Sequence, residues 1–159
     1  MEIERKFLIK KDRLPEMLSQ YPCRKIEQGY LCTDPVLRVR RAGDDFYLTC
    51  KGKGLMIRAE HELPLSEAAY RKLLAKSEGN IITKKRYCIP HGSLTIELDL
   101  FEGIYEGLIM AEVEFSTAAD AESFSPPGWF GPEVTQDPRF QNSNLSRMAD
   151  PAELLQAIT

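Results

Sequence analysis

Residues 1–9 alternate in character: Glu2, Glu4 and Lys6 fall on one side of an extended chain and Ile3, Phe7 and Ile9 on the other, with Arg5 breaking the apolar row. The same two-residue period returns over residues 25–33, 36–42, 46–51, 57–65, 81–89, 93–101 and 108–115. Within 93–101, Leu94, Ile96, Leu98 and Leu100 oppose Thr95, Glu97, Asp99 and Phe101. Within 108–115, Ile109, Ala111, Val113 and Phe115 oppose Glu112 and Glu114. Asp34-Pro35, Gly43-Asp44-Asp45 and Pro90-His91-Gly92 mark turns between such segments. The tail after residue 115 reads as turns and short helices, with Trp129 and a Pro126-Pro127 break. Helical spacing is clearest in three places. One is residues 11–20, with Asp12 as N-cap and Pro15 in the first turn. The second is 66–76, capped by Ser66 and stopped by Gly79, and the third is a final helix from about 150 to 158.

The polar face of these strands is unusual. It collects Lys6, Arg38, Arg40, Lys51, Arg58, Lys84 and Arg86 together with Glu2, Glu4, Glu60, Glu62, Glu97, Asp99, Glu112 and Glu114. Three architectures accommodate it. An open sheet would turn the charged face to water and link its strands by ion pairs. An outer-membrane barrel would be apolar outside and polar within. A water-soluble barrel would enclose a charged lumen and cover its apolar outside with helices. The intervening helices disfavour the membrane barrel, as does a charged opening strand where a secretory leader would be apolar. The third architecture carries a chemical requirement, because buried charge is costly unless compensated. Guanidinium and ammonium groups suit the oxygens of an elongated phosphate chain, and carboxylates suit Mg²⁺ or Mn²⁺. Eight short strands with hairpin-like connections thus suggest an antiparallel sheet or barrel, formed by residues 1–159 as one domain, and the solvated sheet and the enclosed lumen both stay open on the residues alone.

Composition narrows the partners. A net charge of −3 supplies no global basic field, so no nucleic-acid partner is expected. No apolar run approaches the roughly 20 residues that span a bilayer, so no membrane partner is expected. Cys23, Cys32, Cys50 and Cys88 fit neither a zinc site nor a redox pair, which implies reduced thiols and a cytoplasmic location. Gly52-Lys53-Gly54 lacks the spacing of a phosphate loop. Arg5, Arg41, Lys53, Lys85, His61 and His91 fall outside the lumen by parity or position.

Glu2-Ile3-Glu4-Arg5-Lys6 matches the ExExK signature of the CYTH superfamily, the triphosphate tunnel metalloenzymes. Arg38-x-Arg40, Lys51, Arg58-x-Glu60-x-Glu62, Lys84-x-Arg86, Glu97-x-Asp99 and Glu112-x-Glu114 follow in the family's order. The tail from Trp129 to Thr135, then Asp137 and Asn144-Leu145, resembles the short bacterial inorganic triphosphatases. The resemblance implies an α+β fold, a closed eight-stranded antiparallel β-barrel, or tunnel, with a charged lumen and helices packed on its outside. With it come a small-molecule polyphosphate partner and hydrolysis of tripolyphosphate to pyrophosphate and phosphate with Mg²⁺ or Mn²⁺, two ions per site. By position it implies Glu2, Glu4 and Glu114, with Glu112 close by, around a first metal. Glu60, Glu62, Glu97 and Asp99 would hold or orient a second metal and the attacking water, with Glu62 and Asp99 counted as catalytic. Lys6, Arg38, Arg40, Lys51, Arg58, Lys84 and Arg86 would grip phosphate. Lys84 and Tyr30 match a catalytic pair; read from the residues alone, Lys84 binding phosphate and Tyr30 packing in the lumen stays open. Phe140 stands where relatives often carry tyrosine, which implies a packing difference. An organic triphosphate as substrate of a hydrolase or cyclase, and a non-catalytic polyphosphate-binding module, are the alternative functions. Monomer and homodimer are equally compatible.

Overall fold

The computed structural model describes residues 1–158. The strands are β1 (Glu2–Leu8), β2 (Cys23–Thr33), β3 (Val36–Ala42), β4 (Asp45–Lys51), β5 (Ile57–Arg58), β6 (Glu60–Pro64), β7 (Glu78–His91), β8 (Leu94–Phe101) and β9 (Ile109–Glu114). The helices are α1 (Glu67–Leu74), α2 (Ala118–Ser123), α3 (Asn142–Ser146) and α4 (Ala152–Ile158). All nine strands join one antiparallel sheet in the order β5-β1-β9-β8-β7-β2-β3-β4-β6.

The two ends of that order are neighbours in sequence, separated only by Ala59. β5 pairs with β1 and β6 pairs with β4, so one short stretch of chain bridges the two edges and the sheet curls into a nearly closed barrel. The single strand expected over 57–65 is thus split in two, which accounts for nine strands in place of eight. β5 covers the β1 edge only at Glu2 and Ile3. The tail completes it: Val134 N–H donates to the Lys6 carbonyl at 2.8 Å, Leu8 N–H to Pro132 at 2.9 Å, and Gly131 N–H to Leu8 at 2.8 Å. Arg5, the outlier in the apolar row, explains itself here. Its guanidinium grips Glu133 at 2.7 and 2.8 Å, donates to the Ala121 and Phe124 carbonyls, and lies 5.3 Å from the Phe7 ring centre.

Two apolar cores result. The outer one packs Phe7, Ile96, Leu98, Ala111 and Val113 beneath Ala121 of α2 and the tail aromatics Phe124, Trp129 and Phe130. The other forms on the inner face. Tyr30, Val36, Ile82, Phe101 and Met110, contributed by five strands, meet Phe140, Leu145 and Leu154 of the tail. Side chains from so many strands meet on the inner face only at a barrel end, so α3 and α4 stop one end of the lumen, while α1 and α2 lie against the outer wall. Each fully buried Leu or Phe in such a plug contributes roughly 1.5–3 kcal/mol. Phe140, 1% exposed, is a packing residue within it.

Local rules account for the remaining differences from expectation. The helix expected over 11–20 is replaced by two short 3-10 turns, Lys11–Arg13 and Leu18–Gln20. Leu14 is extended (ψ 144°), as the residue before a proline tends to be, and Met17 is left-handed (φ 54°), so no continuous helix runs through. Asp12 lies inside the first turn, and Lys10 stands at its cap. Ser66 does cap α1, accepting the Ala69 N–H at 3.1 Å. α1 ends at Leu74, and Gly79 instead forms a bulge within β7 where the register to β2 slips. β7 continues through Pro90, and the turn falls at Gly92.

Gly79 has φ 70°, and a Cβ there would collide with the Ser146 carbonyl oxygen of α3. Gly79→Ala is expected to destabilise the protein by about 1–3 kcal/mol, through left-handed strain and displacement of α3. Thermal denaturation of the two proteins measures this.

Candidate active site

Directly opposed residues of an antiparallel pair share a face, so the register determines what meets inside. Glu4 lies opposite Glu114, Lys6 opposite Glu112, and Glu112 opposite Glu97. Tyr30 lies opposite Arg38, Thr49 opposite Glu62, and Lys51 opposite Glu60. Glu2 meets Arg58 across the seam. These side chains converge on a cavity of about 180 Å³, walled by Glu2, Glu4, Lys6, Tyr30, Arg38, Arg40, Lys51, Arg58, Glu60, Glu62, Arg86, Glu97, Glu112 and Glu114. Glu2, Glu4, Lys6, Arg38, Lys51, Arg58, Arg86 and Glu112 are each 9% exposed or less. That rules out the open sheet with a water-washed charged face.

The charges divide into paired and unpaired sets. Lys51 Nζ lies 2.9 Å from Glu2, and Lys6 Nζ lies 3.2 Å from Glu4 and 4.0 Å from Glu112. Arg86 forks onto Asp99 at 2.7 and 2.8 Å and reaches Glu97 at 2.7 Å. Among the described residues, Arg38, Arg40 and Arg58 have no carboxylate within ion-pair distance, and neither Glu60, Glu62 nor Glu114 has a cation there. The Arg38 Nε is buried with no hydrogen-bond partner at all. An orphaned cationic donor facing a cavity is costly for the protein alone and calls for an anion.

The lumen shifts its acids both ways. Burial pushes Glu4 up, and the Glu112 charge adds to it. Burial also raises Glu2, helped by Glu60, and Glu97. Glu114 rises through burial and the carboxylates of Glu2, Glu97 and Glu4. Burial acts on Glu112 in the same sense, but Lys6, Arg86 and Lys84 together hold it well below the usual carboxylate range. Burial, with Arg38 and Arg86 nearby, pulls Arg40 down to about 9. The donors are all carboxylate oxygens, the chemistry a hard divalent cation prefers, and raised acids in mutual repulsion gain from one. Among the described residues no three of them already form a metal-ligand group. Glu2, Glu4 and Glu112 direct oxygens to Lys51, Lys6 and Arg86 instead.

Lys84 and Asp99 stand apart. Both are fully buried, 2.7 Å from each other, and neither belongs to the cavity wall. Burial brings Lys84 down to about 8 against the pull of Asp99. Its ammonium also donates to Asn142 Oδ1 at 3.0 Å. Tyr30 does reach the wall, and its hydroxyl accepts from Gln28 Nε2 at 3.3 Å. Gln28, Thr49, Asn142 and Ser143 are the inward residues that sequence reasoning passed over. Gln28 and Thr49 share strand parity with Tyr30 and Lys51, which was a usable signal; Asn142 opens a five-residue helix and had none.

Fold and lumen together define a tunnel protein, an antiparallel barrel whose interior carries both signs of charge. The chain belongs to the CYTH domain family, which matches residues 1–126. It is 40% identical over 151 residues to an inorganic triphosphatase of Nitrosomonas europaea, covering 91% of this chain and 96% of that protein. To an inorganic triphosphatase of Acetivibrio thermocellus it is 38% identical over 149 residues, covering 91% and 92%. A crystal structure of an inorganic triphosphatase superposes with a TM-score of 0.70 at 34% identity, covering 94% of this chain and 97% of that one.

Glu114 gives a test of the carboxylate cluster. Its pKa in the fold lies above the unfolded value of about 4.3, so its ionised form opposes folding. That opposition is complete above the folded-state pKa and vanishes below the unfolded one. Glu114→Gln should therefore raise the melting temperature of metal-free protein at neutral pH, and the gain should disappear by about pH 4. Thermal melts across that range check it.

Proposed function

We propose that this chain is a divalent-metal-dependent inorganic triphosphatase that hydrolyses tripolyphosphate to pyrophosphate and phosphate. The observation that carries the reading is one cavity holding three arginines without carboxylate partners together with three glutamates without cationic partners. A phosphate chain answers the first set and divalent cations the second.

In this reading Arg38, Arg40, Arg58, Lys6, Lys51 and Arg86 hold the substrate's non-bridging oxygens, extending the chain along the lumen. Phosphoryl transfer asks a protein mainly for such positioning and charge neutralisation. Glu2, Glu4 and Glu114, with Glu112, are the residues that would hold one Mg²⁺ or Mn²⁺, and Glu60, Glu62 and Glu97 those that would hold a second, with Asp99 orienting Arg86 beside them. Bound there, the metal supplies charge neutralisation and a more acidic water. Glu62 orients the attacking water, and Asp99 acts from behind the wall by fixing Arg86 and Lys84; the water oxygen bonds to the terminal phosphorus as the P–O bond to pyrophosphate breaks. Tyr30 Oη, at the wall, and Lys84 Nζ, held by Asp99 and Asn142, are the groups that would exchange protons during turnover. Four free cysteines support a reducing compartment, the cytoplasm. No helix among the described residues is long and apolar enough to cross a membrane.

Phosphate release from tripolyphosphate, ATP and thiamine triphosphate, each with Mg²⁺ and with Mn²⁺, tests the proposal. Tripolyphosphate should be turned over fastest, and a chelator should abolish turnover. Glu4→Gln should lower turnover roughly a hundredfold or more, the scale of lost metal charge stabilisation, with an unchanged circular dichroism spectrum. Faster turnover of ATP or thiamine triphosphate would transfer the reading to an organic substrate.

A further inference from the structure

Cations on the inner face are held in two chemically different ways. Lys6, Lys51, Lys84 and Arg86 are held by carboxylates. Arg38, Arg40 and Arg58 are held by neutral oxygens: the Thr49 hydroxyl at 3.3 Å, the Gln28 amide at 2.8 Å and the Gly52 carbonyl at 3.1 Å. A carboxylate would hold a guanidinium about twice as strongly, but would also cancel the charge an incoming anion must find. A neutral acceptor fixes the group and leaves its charge free.

For Arg40 the neutral acceptor must face the right way. An amide is a donor at one end and an acceptor at the other, so a reversed Gln28 would turn its NH₂ on the Arg40 N–H. What sets the orientation is Asn142. Its Oδ1 receives the Gln28 Nε2 at 3.1 Å and the Lys84 Nζ at 3.0 Å. Two donors converge there, so the carbonyl end of Asn142 must point at them. The Gln28 NH₂ is thereby drawn toward the tail and its Oε1 presented to Arg40 Nε. Gln28 is fully buried and Asn142 is 9% exposed, so water does not compete freely for these bonds. Asn142 lies beyond residues 1–126, the stretch that matches the family.

We propose that Gln28 and Asn142 are positioning residues: Asn142 orients the Gln28 amide, and Gln28 aims Arg40 at the substrate with a neutral acceptor, keeping the arginine charge uncompensated until a polyphosphate binds. The identity of that anion rests on the triphosphatase reading; the arrangement of the arginine does not. Holding a charge ready in a fixed place removes reorganisation from the binding step.

The experiment compares Gln28→Glu and Asn142→Leu with the parent protein. Metal-free binding of inorganic tripolyphosphate is measured by calorimetry, together with KM, kcat and melting temperature. Gln28→Glu retains an acceptor for Arg40 but neutralises it. It should bind tripolyphosphate about tenfold more weakly and raise KM by a similar factor. Asn142→Leu, which releases the amide orientation, should move KM in the same direction. A purely structural role predicts the reverse for Gln28→Glu, a new ion pair with undiminished binding, and that result overturns the assignment. If Gln28→Glu does not fold, undiminished tripolyphosphate binding by Asn142→Leu overturns it equally. A parent protein that binds tripolyphosphate yet releases no phosphate overturns the enzymatic reading alone, and weaker binding by the variants then still supports the positioning assignment.

Discussion

Enclosing charges of both signs in a space poor in water is the constraint from which the rest of this structure follows. Moving an ammonium or carboxylate out of water costs several kcal/mol even after relaxation, and Coulomb attraction returns it only where partners stand close. The barrel meets this for Lys6, Lys51, Lys84 and Arg86, each held against a carboxylate. It leaves the requirement open for Arg38, Arg40 and Arg58, whereas the unpaired glutamates Glu60, Glu62 and Glu114 keep contact with water. The compensation comes from outside the lumen, from the apolar packing on the outer wall and at the stopped end. A lumen of this composition is stable only because a large hydrophobic shell surrounds it, and selective because part of its charge is left unanswered.

The shell also explains why the strands alternate so consistently. A one-residue slip in any ladder would move a row of charges into the outer aromatic cluster and a row of isoleucines and leucines into the lumen. Both faces therefore enforce the same register. At one of its two register slips, the one beside Gly79, the chain uses a glycine and fills the site with the backbone of α3; the other falls between β2 and β3 at Tyr30 to Cys32. The slip at Gly79 is thus the place where the plug docks.

Much of this was legible in the sequence because strand parity is a strict rule. The alternation of Glu97, Asp99, Glu112 and Glu114 with apolar neighbours placed them on the inner face before any coordinates. The charged rows of β1, β3 and β4 were readable in the same way. Parity could not say how far each side chain reaches. It put Lys84 and Asp99 in line with the wall residues, whereas the pair withdraws behind the wall, bonded to each other. Nor could it reveal that residues 57–65 change neighbours at Ala59, since the pattern of a strand is the same whichever partner it has. The 3-10 turns replacing a helix before β2 follow from Pro15 and a left-handed Met17; the proline's effect on Leu14 was legible, the conformation of Met17 was not. Asn142 was invisible for a different reason, because its role depends on where a five-residue helix docks.

β1 has an unusual position in time as well as in space. It is synthesised well before all of its partners: β5 near residue 57, β9 near residue 109, and the tail segment that pairs with residues 6–8 only past residue 130. The growing chain must therefore carry an unpaired, half-apolar ribbon through most of its synthesis, with the hazard of sticking to a neighbouring nascent chain. Its charged residues, Glu2, Glu4, Arg5 and Lys6, then act as gatekeepers that keep the waiting ribbon in solution. The same acidic and basic side chains that furnish the finished lumen would guard the chain against aggregation before any lumen exists.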